Sequence, residues 1–289
     1  VMRLVGSEMC IRDRTDISHK KNLLDAVSRI RSHYNTPLRL LLAHTGMYFD
    51  QAGTNNDHAD LGFIEASPIL SADQGGQCQQ NFSILFSDGY WNGPSSRVGN
   101  QDGNNNSAWD GGSYADNYWH TLADVAMHYY ETDLAPSLPD VVQPIQDIDE
   151  NRSQHLNTFA VAFGVSGTLD SNPTDKDTPF NWPDPIYNYT QGRVDDMRHA
   201  AWNGRGSFHN ASKPEELIKS LNETLTAIET RIGTSTSVTF NSNDLQANTQ
   251  LYLTEFNSEN WTGDLLAYNI NSDGSIDSTL DWRASDYLN

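Results

Sequence analysis

An aspartate closes the stretch "SILFSDGYWNG" (83–93), where an apolar run ends abruptly on Asp88. A carboxylate at the carboxyl end of a buried strand stands where open α/β sheets bind their ligands. Gly89 behind it lets the chain turn away sharply. Taken alone, an Asp-Gly after a strand is more often a turn than a ligand. A second oxygen donor comes from Thr36, in "NTPL", with Leu38 two residues on. A hydroxyl and a carboxylate are hard ligands of the kind Mg²⁺ and Ca²⁺ prefer. His44, His120 and His128 flank this pair in sequence, and with Asp88 they would suit a metal-dependent hydrolase. No H-E-x-x-H, G-x-S-x-G or Walker loop accompanies them.

Three further stretches carry chemistry. "DGNNNS" (102–107) spaces Asp102, Asn104 and Asn106 like the start of a calcium loop, but Ser107 replaces the turn glycine and Ser113 the final glutamate. A solvated loop is expected there. "NINSDGSID" (269–277) lies between β-type runs and reads as a hairpin turn. In "FNWPDPIYNY" (180–189), Trp182 and Tyr187 could stack on sugar rings as in a lectin-like module, or fold back over a sheet edge.

Residues 18–34 place Leu23, Leu24, Val27, Ile30 and Tyr34 at helical spacing, and "LRLLLAHTGMYF" predicts a second helix with Pro37 in its first turn. "FSILFS" (82–87) and "NTFAVAFGV" (157–165) are buried-type strands, and "GRGSFHNAS" supplies a short third one. Between them, "NYWHTLADVAMHYYETDL" and "VDDMRHAAW" predict helices. Ser212 and Glu215 form an S-x-x-E capping box before a helix over 213–232. Long Gly/Asn/Ser loops fill 92–116 and 166–193. Strands alternating with helices predict a parallel α/β sheet covered on both faces. After Gly233 the pattern changes to β-type runs separated by turns, so a domain boundary is expected near 233–236, with an all-β segment over 234–289.

Eighteen basic against 38 acidic residues give a net charge of −20. That balance excludes a nucleic-acid or anionic-membrane binder, which needs clustered Lys and Arg. No apolar stretch reaches the ~20 residues of a membrane span. The two cysteines, Cys10 and Cys78, carry almost no disulfide information, and Cys78 reads equally as a free thiol or as half of a disulfide with a partner outside this chain. Residues 1–14, "VMRLVGSEMCIRDR", read as a non-native leader, leaving 15–233 for the α/β domain, and the chain reads as a fragment.

"NTPLRLLLAH" followed by "ILFSDG" resembles the von Willebrand factor A domain, a three-layer α/β sandwich with a metal-ion-dependent adhesion site. In that resemblance Thr36 matches the T-x-L threonine and Asp88 the aspartate of the (T/S)-D-G motif. "TFAVAFGV" resembles its fifth strand. "CQQNFSILFSDGYWNG", "SYADNYWHTLADVAMHYYETDL" and "HAAWNGRGSFHNASKPEEL" further resemble type IV pilus tip-associated adhesin and assembly proteins of the PilC/PilY class. "LYLTEFNSENWTGDLLAYNI" is similar to the start of their C-terminal β-propeller. The likeness covers about 20–289. It implies a partial sandwich lacking its first strands, with "FSILFS" left at a sheet edge. It also implies non-enzymatic pilus biogenesis and surface adhesion, with minor pilins or a host or surface receptor as partners and a pilus-associated, extracellular location. Mg²⁺ or Ca²⁺ would bind the intact protein. The D-x-S-x-S element is missing, "DISHK" (16–20) being its nearest match, so weak or absent binding is expected of this chain.

Overall fold

A computed structural model describes residues 21, 28, 35–51, 67–87, 90–188, 190–234, 239–240, 250–257, 262–270 and 276–287. The chain divides into two compact units that meet between Ile228 and Glu229.

The first unit is built on a three-stranded parallel sheet, β1 (Asn81–Ser87), β2 (Leu156–Phe163) and β3 (Arg205–Ala211), ordered as in the sequence. β2 is central and fully buried up to its last residue, as its unbroken apolar run requires of a strand covered on both faces. Helices α1 (Leu38–Phe49), α2 (Leu122–Glu131) and α3 (Gln191–Asn203) share one face of the sheet. Their Leu42, Leu122, Val125 and Met197 pack with Leu85, Leu156, Ala160 and Ala162, which register and side-chain parity put on the same side. His209, of opposite parity to Phe208 on β3, meets Glu223 of α4 (Pro214–Thr234) at 3.4 Å.

α1 and α2 approach closely because Gly46 has no side chain: a Cβ there would lie 2.3 Å from the Tyr129 ring. β1 stands at one end of the described strand order, with Ile84 36% and Phe86 49% exposed on the face away from α1–α3.

Several local expectations are refined. Pro37 precedes the first turn of α1 rather than lying in it. The reach-back onto the Ser212 N–H comes from Glu216, not Glu215, at 2.7 Å. A capping box that the sequence reading passed over holds α2: the Thr121 hydroxyl accepts from the Asp124 N–H, and the Asp124 carboxylate accepts from the Thr121 N–H. The helix expected over 18–34 lies outside the described residues apart from 21 and 28.

The second unit is an antiparallel sheet in sequential order, β4 (Thr239–Phe240), β5 (Gln250–Asn257), β6 (Thr262–Ile270) and β7 (Ile276–Arg283). The turn expected around Asp273 and Gly274 lies outside the described residues.

Candidate functional site

Thr36 and the chain that follows β1 are tied together by their backbones. The Thr36 N–H donates to Asn92 Oδ1 at 2.9 Å, and the Asn92 N–H returns a bond to the Thr36 carbonyl at 2.8 Å. Next to this clasp Trp91, 1% exposed, lies between two guanidiniums, with Arg39 4.0 Å and Arg193 4.4 Å from its ring centre. Arg39 also donates to the carbonyls of His120 and Gly93. Cation–π contacts of this kind strengthen when desolvated. These contacts tie the start of α1 to the segment at Trp91–Gly93. Asp88 and Gly89 themselves lie outside the described residues. Among the described residues Thr36 brings one hydroxyl to this corner, which falls short of the six to eight oxygens of a Ca²⁺ site or the octahedron of Mg²⁺.

The three flanking histidines have separate settings. His120, at φ 61°, accepts the Gly99 N–H on Nδ1 at 2.8 Å. His44 and His128 are both shifted to lower pKa by burial, the latter opposed by Asp50. His128 packs edge-on against Tyr129. Trp182 is buried, its ring stacked on His199 at 4.0 Å and 9°, and its indole N–H donates to the Ser113 carbonyl. Tyr187, in contrast, is 81% exposed. The two aromatics grouped by the sequence thus have opposite environments.

A constellation absent from the sequence reading lies behind Trp182. His199 on α3 projects between two carboxylates, with Nε2 3.5 Å from Asp102 Oδ2 and Nδ1 3.5 Å from Asp116 Oδ2. Its Nε2 also meets the Tyr114 carbonyl at 2.6 Å. Asp102 is fully buried; it accepts the Asp116 N–H and the Asn203 amide. "DGNNNS" is the solvated loop expected over its exposed residues 103–106, but its first residue, Asp102, is core, and Asn104 and Asp110 both accept from the Asn106 N–H.

Two further buried aspartates adjoin the cluster. Asp124 accepts from the Gln101 N–H, and Asp196 accepts the first two N–H groups of α2, from Leu122 and Ala123. Burial pushes Asp102 up to about 7, against the His199 charge; it pushes Asp124 up to about 8 and Asp196 to about 6, each opposed by its N–H donors. Burial alone would lower His199, but the hydrogen bond to Asp116 and the charges of Asp102 and Asp116 prevail and raise it to about 9. Ligating atoms of Asp102, Asp116 and His199 all lie within 4.8 Å of one another, an arrangement compatible with a divalent cation. These residues come from one loop and from α3, without motif spacing. The one signal in the sequence was Asp196 and His199 standing three apart on one side of a helix, among Val194, Met197 and Ala200.

No protein-family model matches the chain, and no solved structure matches it. Curated proteins do. The chain is 28% identical over 98% of its length to "Type IV pilus biogenesis factor PilY1" of Pseudomonas aeruginosa strain PAK, and 29% identical over 93% to that of strain UCBPP-PA14. It spans about a quarter of the length of these relatives (27% and 26%). The chain is similar, from end to end, to one portion of a type IV pilus biogenesis factor.

Proposed function

We propose that this chain is a non-enzymatic module of type IV pilus biogenesis and surface adhesion. The observation that carries this reading is its likeness, over nearly all of its length, to factors named for pilus biogenesis. The parallel α/β sheet and the clasped corner at its carboxyl end fit a von Willebrand factor A-like scaffold. In that reading Thr36 and Asp88 contribute to a divalent-metal adhesion site that needs further oxygen donors. Residues 234–289 open a β-propeller. The partners are minor pilins or a surface receptor, met outside the cell.

Replacing the aligned portion of the Pseudomonas factor with this chain tests the reading. Surface pili and twitching motility should be restored, and Asp88→Ala in the chimera should lower attachment at normal chimera abundance. A stable, exported chimera that assembles no pili would overturn it.

A further inference from the structure

We propose that Asp102, Asp116, His199 and Asn203 form a closed site for a zinc-class divalent cation, separate from the Thr36/Asp88 corner. Four observations converge. The first is tautomer control. Contact with the Tyr114 carbonyl commits His199 Nε2 as a donor, which leaves Nδ1, the nitrogen facing Asp116, as the one that can exchange its proton for a metal. Metal-ligating histidines are oriented in this way, the second ring N–H held by a carbonyl or carboxylate.

The second is distance. Two ligands on one tetrahedral zinc ion, each bonded at about 2.1 Å, stand about 3.4 Å apart. His199 Nδ1 and Asp116 Oδ2 are 3.5 Å apart. The ligand atoms of Asp102, Asp116 and His199, all within 4.8 Å of one another, would draw together by up to about 1.4 Å to reach that spacing.

The third is an orphan. Asn203 is fully buried and gives its amide N–H to Asp102 at 2.9 Å, yet its Oδ1 has no hydrogen-bond partner among the described residues. An unsatisfied buried acceptor costs about 1–3 kcal/mol. A cation beside Asp102 would take that oxygen as its fourth donor.

The fourth is charge. Asp102 and Asp116 flank one imidazole and Asp196 acts on it too, three carboxylates against that ring and the Arg205 guanidinium, which lies over Tyr114 and donates to the Asn203 carbonyl. Buried charges in proteins are paired or coordinate metals.

The chemistry selects the ion. An imidazole donor favours zinc over magnesium or calcium. Trp182 stacked on His199, and Asp102 at 0% exposure, leave little room for the waters that Mg²⁺ retains. The Asp116 side chain is 5% exposed, against 2% for His199 and 0% for Asp102, so an ion would arrive past Asp116. Bound there, zinc replaces the Nδ1 proton, which passes to solvent, and pins the 102–116 loop to α3.

The test uses the whole chain carrying Cys10→Ser and Cys78→Ser, so that neither thiol takes metal. After chelation and dialysis, ZnCl₂ is titrated by calorimetry in two buffers of different ionisation enthalpy, with bound metal measured by mass spectrometry. The expected result is one tight zinc per chain with proton release, a higher Tm, and affinity at least about 10-fold weaker in Asp116→Asn and Asn203→Ala. Asp88→Ala should bind zinc normally. Circular dichroism establishes that each variant is folded. No stoichiometric zinc, or zinc binding that Asp116→Asn and His199→Gln leave unchanged, would overturn the proposal. A His199 ring that keeps both protons by NMR in the presence of zinc would also overturn it.

Discussion

Burial sets the ionisation of Glu131, the last residue of α2. Its carboxyl is raised to about 7, first by desolvation and further by Asp110, against the hydrogen bonds of Ser107 and Asn106. A carboxyl raised on folding contributes stability that is complete below its unfolded pKa near 4.5 and is lost as pH rises through 7. Glutamine has the neutral shape at every pH. Glu131→Gln should therefore match the parent at pH 4.5 and exceed it at pH 8 by about 1 kcal/mol, solvent screening of the partly exposed carboxyl cutting down the ~1.4 kcal/mol per pK unit of full burial. Urea melts at both pH values measure this, and equal stabilities at pH 8 would refute it. Trp91 belongs to the same scale. Its two guanidinium neighbours come from α1 and α3, so one side chain fixes two helices relative to the end of β1.

At the scale of elements, α2 is held by its N-terminus. Thr121 and Asp124 close the box locally, and Asp196 reaches across from α3 to accept two more N–H groups. A carboxylate at the positive end of a helix satisfies orphan donors and the macrodipole together. Asp196→Ala should cost about 1–3 kcal/mol in denaturant unfolding, and Asp196→Asn less, since it keeps one acceptor. Equal losses for both would mean that charge rather than hydrogen bonding does the holding.

This scale also shows what a reader of the sequence can see. "TFAVAFGV" announces β2 because a strand covered on both faces must be apolar throughout, and "LADVAMHYY" announces α2 through its 3.6-residue stripe. The cross-chain cap and the Asp102–Asp116–His199 cluster are invisible for the opposite reason. Each depends on polar residues from separate segments meeting in space, and no periodicity records such a meeting. Asp102 looked like the head of a polar loop because burial by α3 leaves no mark on its neighbours Gly103 and Asn104. The clasp between Thr36 and Asn92 was equally hidden, since it joins backbone groups 56 residues apart.

At the scale of the molecule, 38 acidic residues against 18 basic ones leave a surface that repels itself. Self-repulsion weakens the compact state and is screened within about 8 Å at physiological ionic strength. Raising monovalent salt from about 0.01 to 0.15 M should increase Tm, and choline chloride should serve as well as sodium chloride. A rise with sodium alone would point to site-bound cations. No helix among the described residues is long and apolar enough to cross a membrane.

The contact between Gly46 and the Tyr129 ring has a consequence for descent. Any side chain at 46 collides with the ring, and a smaller residue at 129 alone opens a hole against a bare helix. Neither position can drift by itself. Across diverging sequences the two should change together, a small residue at 129 permitting alanine or serine at 46, and the pair would then mark where the lineage had to take two steps at once.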